Sequence, residues 1–384
     1  MGVAWTKNRV VNFTEKFALP YVEVLVGLDG RTYDQAFFHK LLADAKVVND
    51  VDQTGGEDAV RDRRAKRWDS YLGKIREFGL GFAVEEKRPG GPSTTIWRAS
   101  PVARDFAAGR LSYRQLMALQ LMRLQLPKPS MPLQGNARIE LQRGARVRPL
   151  GLIIQALDWL EVNGASVHLS WGEIFGQLTK LEKHDDLDQA MRQIVTARSK
   201  PPSKADVTNP AGEADDTYGD IWLNEFEATG FVRQLKPNDK SGLPAHIVVR
   251  SLPRWQEARD LEQAIPFQTY TDNPTSINEY FDFFSASPTS AEWEVINMDE
   301  RVVEIVIGTE ATFDEKAHYL EGSTDIVGAL PAGALVILAG DTPASSHGTV
   351  YQVVGEATIT TGGKSRVHLK PQMLRTDGAA IVTD

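Results

Sequence analysis

A chain of 384 residues, 42% apolar and 24% charged, has enough material for two or three folded domains and is not expected to be a disordered segment. It has no Cys, which excludes disulfides and thiolate zinc sites; with no targeting signal at its start and no apolar run near the roughly 18 residues of a membrane span, a cytoplasmic protein is expected. The formal charge of -8 divides unevenly, with -12 in residues 252–384 and +4 in residues 1–251, so a phosphate-binding surface is expected in the first two thirds.

In chain order, Thr32-Tyr33-Asp34-Gln35 has the form of a helix-opening box, ahead of a short amphipathic run over 36–42. A basic helix is expected over 58–78. Arg61, Arg63, Arg64, Lys66, Arg67, Lys74 and Arg76 outweigh Asp62 and Asp69, a net of +5 across residues 61–76. Trp68, Tyr71, Leu72, Ile75 and Phe78 recur at threes and fours, so one face packs and the other carries charge. A hairpin follows over 81–98, with the turn Lys87-Arg88-Pro89-Gly90-Gly91-Pro92-Ser93. A helix feeding a hairpin is the winged-helix arrangement, whose commonest partner is DNA. Arg63, Arg64, Arg67 and Lys74 on the helix, and Lys87 and Arg88 at the wing, are the first candidates for DNA contact. The plain alternative is a small α+β domain with a solvated basic face.

Ser100-Pro101 reads as an N-cap with Pro at the first helical position, and Ser112-Tyr113-Arg114-Gln115 as another box opening a Leu- and Met-rich core helix. Arg138, Arg143, Arg146 and Arg148, with Glu140, form a second basic cluster of net +3, expected to clamp the DNA backbone or enter a groove. An apolar helix is expected over 149–162, a third box at Ser170-Trp171-Gly172-Glu173, and a helix over 187–197. Residues 199–219 read as a loop or hinge. A helix over 220–231 then leads to two strands, 232–235 and 246–249, whose charged connection offers Lys236 and Lys240 as a second wing tip. Residues 254–263 read as helix, 266–288 as aromatic and irregular, and 292–307 as alternating strand. Further strand signals predict a small acidic β-rich unit beyond about residue 285.

Three stretches resemble the recognition part of AlwI-like type IIS restriction endonucleases. Residues 71–80, YLGKIREFGL, are similar to the helix before that family's first hairpin. Residues 119–129, LQLMRLQLPKP, are similar to its segment with spaced Leu, Gln and Pro, and residues 220–231, with Leu223 and Ala228-Thr229-Gly230-Phe231, to its repeated ATG-containing element. The resemblance spans roughly residues 60–235. It implies an array of winged-helix DNA-binding subdomains, divided here as 1–135 and 136–284, which with the β-rich domain 285–384 expected from the strand signals makes an α+β protein. It further implies sequence-specific reading of double-stranded DNA in bacterial defence, with a separate magnesium-dependent nuclease domain or subunit, while DNA binding itself needs no cofactor.

A nuclease of that kind needs two carboxylates and a lysine on adjoining strands. Asp314-Glu315-Lys316 has the letters but reads as helix, and Glu304 sits in a strand without the lysine, so the catalytic residues are not legible. The seven His are scattered without zinc spacing, and Gly363-Lys364-Ser365 lacks the first glycine of a phosphate loop, Thr358 standing there. An intact endonuclease with an unrecognised site, a winged-helix regulator on a palindrome and a protein-interaction scaffold are the competing readings.

Overall fold

A computed structural model of the protein describes residues 13–54, 56–87, 92–127, 135–198, 216–237, 241, 243, 244, 246–298, 302–341, 349–374 and 380–381. The first unit runs α1 (Glu15–Gly27), α2 (Gln35–Asp44), α3 (Gly56–Glu77), β1 (Gly81–Lys87) and β2 (Ser93–Ala99). Trp68, Leu72, Ile75 and Phe78 are buried together, as their spacing requires. Trp68 Nε1 donates to the Tyr33 hydroxyl at 2.6 Å, and Trp97 Nε1 to the Leu25 carbonyl at 3.0 Å, which fixes two indoles in the core without an orphaned donor. The box expected at Thr32 is corrected: Asp34 caps α2, accepting from Phe37 N at 3.1 Å, while Thr32 forms an isolated antiparallel bridge to Ile96. A short strand segment between α1 and α2 is therefore laid along the hairpin.

After Ser100, α4 (Pro101–Ala107) and α5 (Tyr113–Arg123) follow, each opened by its expected Ser cap, and then α6 (Gly135–Gln142). The second unit runs α7 (Pro149–Val162), β3 (Leu169–Ser170), α8 (Trp171–Gly176), α9 (Leu187–Ala197), α10 (Asp216–Ala228), β4 (Val232–Leu235) and β5 (Ile247–Arg250). It repeats the first, with α9 added. Ser170 pairs with Ile247 as Thr32 does with Ile96. Trp171 N donates to His246 O at 3.1 Å as Tyr33 N does to Thr95 O at 2.9 Å. Ser251 N donates to Phe231 O at 2.8 Å as Ser100 N does to Leu80 O at 3.1 Å. Gly79 and Gly230, at φ +60° and +73°, end α3 and α10 at matching places, where a side chain would be strained. Two such units are described.

Three helices complete the array: α11 (Trp255–Ala264), α12 (Pro274–Ser285) and α13 (Ser290–Ile296). Two expectations are corrected here. The aromatic stretch 266–288 contains α12, whose Tyr280 and Phe284 enter the main core; the start of the supposed strand 292–307 is α13, opened by a Thr289–Glu292 capping box. Arg123, 1% exposed, ties α5 to α13 by donating to both Glu292 carboxylate oxygens at 3.0 and 2.7 Å. A division at 285 falls between α12 and α13, both of which belong to the helical core.

The remaining chain forms β6 (Val303–Ile307), β7 (Ala311–Asp314), β8 (Tyr319–Gly322), β9 (Leu335–Gly340), β10 (Val350–Ile359), β11 (Ser365–Leu374) and β12 (Ala380–Ile381). The order is β10-β9-β6-β7-β8-β11, and pairing of β10 with β11 closes it into a small barrel, with β12 added on β11. β6 runs parallel to β9, whereas β10–β11 and β8–β11 are antiparallel. Closure removes the open edges that would otherwise invite pairing with other chains. The molecule is thus α+β, an N-terminal helical array followed by a C-terminal small β-barrel. Leu235, Ile247 and Val249 of the second hairpin pack on Ala329, joining the two.

Candidate nucleic-acid interface

The N-terminal half of α3 carries the densest exposed positive charge suggested by sequence, but much of it is engaged. Arg61 reaches Asp34 at 2.7 Å. Arg64 grips Asp50 with both arms, at 3.0 and 2.6 Å, and this bond holds the Asp50 carboxyl down at about 2. Arg63 donates to the Asp52 carbonyl at 3.1 and 2.7 Å, and also to that of Thr54. These three guanidiniums fasten the start of α2 and residues 50–54 to α3. Lys66 and Arg67 are exposed beside them. Lys66 is the exposed cation that the sequence candidates omit, and its place next to Arg67 is the signal for it.

Lys74, expected on the DNA side, is 1% exposed. Its Nζ lies 3.2 Å from Glu77 and bonds Glu225 of α10. Burial opposes its charge, but the two carboxylates prevail and raise its pKa. The cause of the misplacement is tertiary: Glu225 of α10, far along the chain, takes the Lys74 ammonium. Lys74 is therefore out of reach of a large ligand, while Arg76, two residues on, is exposed.

The second basic cluster is spread among internal partners. Arg138 pairs with Asp272 at 2.6 Å and keeps 57% of its side chain exposed; Arg143 pairs with Glu182 at 3.1 Å. Arg146 donates to the Tyr270 carbonyl and lies over that ring at 4.7 Å. Arg148, 3% exposed, bonds Glu262 at 2.6 Å and lies over Phe267 at 4.2 Å. Arg146 and Arg148 bind the segment before α12 to α7, and Arg148 is corrected from a DNA contact to an interior strut.

His184 belongs to that strut. Its Nε2 accepts from Arg148 N at 3.1 Å, its Nδ1 lies 2.9 Å from Gln155 Oε1, and burial first, then the Arg148 charge, lowers its pKa to about 4. A His depressed in the folded state takes up its proton first in the unfolded chain, so its contribution is complete above about pH 6.5 and is lost as pH falls toward 4. Between pH 7 and 4.5 the loss attributable to this ring is expected to be about 1–2 kcal/mol, below the full-shift ceiling because the ring is partly solvated. Urea titrations at both pH values, on the native chain and His184→Gln, check it: a pH-dependent difference no smaller in the variant rejects the assignment.

In the second unit Lys236 is exposed just after β4. Arg88 and Lys240 lie outside the described residues, as does the side chain of Lys87. Among the described side chains of α10, Asn224 and Glu227 are exposed, and the helix sequence DTYGDIWLNEFEA has no basic residue. Asp314 and Lys316, weighed as a nuclease pair, sit at the β7–β8 turn rather than on a helix. Asp314 there accepts from Lys316 N and Ala317 N, each at 3.0 Å, which accounts for the D-x-K letters as turn chemistry. Among the described residues no group of three or more His, Asp or Glu is arranged to hold a metal ion, and no helix is long and apolar enough to cross a membrane. Neither a family model nor a curated protein matches the chain.

Proposed function

We propose that this protein binds double-stranded DNA in a sequence-specific manner through its first unit, as the recognition part of a bacterial restriction system. The supporting observation is the order helix–strand–helix–helix–hairpin, with the first strand at Thr32 bridged to Ile96 of the hairpin. That is the order of a winged helix, in which the helix before the hairpin enters the major groove and the wing touches backbone. Here that helix carries the exposed Lys66 and Arg67, and the turn sequence of the hairpin carries Lys87 and Arg88. The second unit has the same order but an acidic outer helix, so it serves as a scaffold in this reading. The resemblance to AlwI-like enzymes adds the restriction role, with cutting done by a magnesium-dependent nuclease domain or subunit elsewhere and no cofactor needed for binding.

Selection of bound duplexes from a random pool, repeated with modified bases, tests the proposal: enrichment of one short asymmetric sequence is expected. A palindrome bound by two copies would favour a regulator instead, and no salt-sensitive binding would leave only a scaffold. Replacing Lys87 and Arg88 with Ala should weaken selected and random duplexes by similar factors and reduce the salt-dependence slope by about 2, since phosphate contacts carry no base code. Anisotropy titrations over a salt series measure both quantities; an unchanged slope removes the wing from the interface.

A further inference from the structure

We propose that the cleft between the second hairpin and the barrel binds a phosphorylated small molecule of nucleotide size. The cleft, of about 680 Å³, lies where β4, the end of α10 and the N-terminal turn of α5 meet the barrel at Pro331 and Glu356. Four cationic residues, Arg114, Arg233, Lys236 and Arg254, line it against two acidic ones, Glu227 and Glu356. The cleft is a local excess of positive charge built partly within residues 252–384, whose net charge is -12.

The internal duplication supplies a control. At Gly79 in the first unit, a side chain would meet the Phe284 ring at 2.9 Å: the turn is plugged by α12. At the matching Gly230, it would meet the Arg254 guanidinium at 2.8 Å and the Arg114 stem at 3.0 Å. One copy has an apolar plug at this turn, and the other has two guanidinium-bearing side chains beside an open cleft. A plug would have served if packing were the only demand on this turn.

The cations divide the work. Arg254 is 6% exposed and held by Glu257 and the Thr229 carbonyl, so it stiffens the floor and lends charge more than donors. Arg233, also 6% exposed, has one nitrogen on the Gly328 and Leu330 carbonyls, while the other meets Glu356. The Glu356 side chain is 74% exposed. It is an anion resting on a buried guanidinium from the solvent side, and a phosphate can take its place without unburying Arg233. Arg114 and Lys236, both exposed, stand at the rim to meet the remaining charge. Pro331, Ala332 and Ala357 offer the apolar surface that a sugar or base would cover.

This site does not depend on the DNA reading. The test is calorimetric titration of the full chain with 5′-AMP, inorganic phosphate, adenosine and a single-stranded oligonucleotide. Saturable binding of 5′-AMP is expected, with weaker phosphate binding and none of adenosine. The Arg114→Ala, Lys236→Ala double variant, changed only at exposed positions, should weaken 5′-AMP by about a hundredfold, roughly tenfold for each charge-assisted contact. Glu356→Gln should tighten it about two- to fivefold, the worth of an exposed ion pair no longer competing. Duplex binding by the first unit should be untouched in both variants, so failure here and failure of the DNA assignment remain distinguishable. No saturable 5′-AMP binding, equal binding of adenosine, binding only of a single-stranded oligonucleotide, or indifference to the double variant while the fold is retained overturns the proposal.

Discussion

Replacing Lys74 with Met is expected to cost roughly 3–5 kcal/mol of stability, the loss seen when one partner of a buried ion pair is removed. The reason is specific to this site. Lys74 is the cation between Glu77 and Glu225, all three less than 10% exposed, and without it two carboxylates face each other across the joint between the units. Adding Glu225→Leu to Lys74→Met should recover part of the loss, because an apolar pair of similar volume has no charge to desolvate. Urea titrations of the three chains, followed by Trp fluorescence, measure this. A loss under about 1 kcal/mol for Lys74→Met would show that the pair is solvated in solution and the joint between α3 and α10 loose.

The second large effect concerns DNA. Lys66→Ala with Arg67→Ala should reduce the salt-dependence slope by about 2 if both side chains meet phosphate. If Arg67 reads a base edge, the outcome differs: the slope falls by about 1, and discrimination at one base pair drops by roughly 1–3 kcal/mol. Competition titrations with selected and single-mismatch duplexes separate the two outcomes. Neither substitution should unfold the protein, because both side chains are exposed. A doubly substituted chain that binds with unchanged affinity and slope would reduce the exposed part of α3 to a solvated face, and the proposed function would fall with it. Arg63 and Arg64 are poorer choices for this test: replacing them would free Asp50 and the carbonyls of Asp52 and Thr54, and binding would then change through the fold.

The sequence by itself determined the local elements wherever the signal is short-range. Ser100, Ser112 and Ser170 each stand before a helix and cap it, because a side-chain hydroxyl can satisfy the first free amides in any tertiary setting. The 3.6-residue rhythm of Trp68, Leu72 and Ile75 marked a buried face, and Pro149 with Asn163 bounded α7, for equally local reasons. α13 imitates a strand in sequence because Trp293, Val295 and Ile296 lead straight into the β-branched run of β6, although its Thr289–Glu292 box is the local signal of a helix. What only the tertiary structure decided is which charges remain free. Seven Arg and Lys residues on α3 look alike as letters, yet Lys74 is enclosed by a helix about 150 residues away, and Arg61, Arg63 and Arg64 fasten neighbouring loops. Arg148 is likewise taken by Glu262 and Phe267, and Arg114 and Lys236, far apart in the chain, are brought to one cleft. Capping and periodicity depend on a few adjacent residues, whereas the fate of a charge depends on which distant carboxylate or carbonyl the fold brings within about 3 Å. No spacing along the chain encodes that distance.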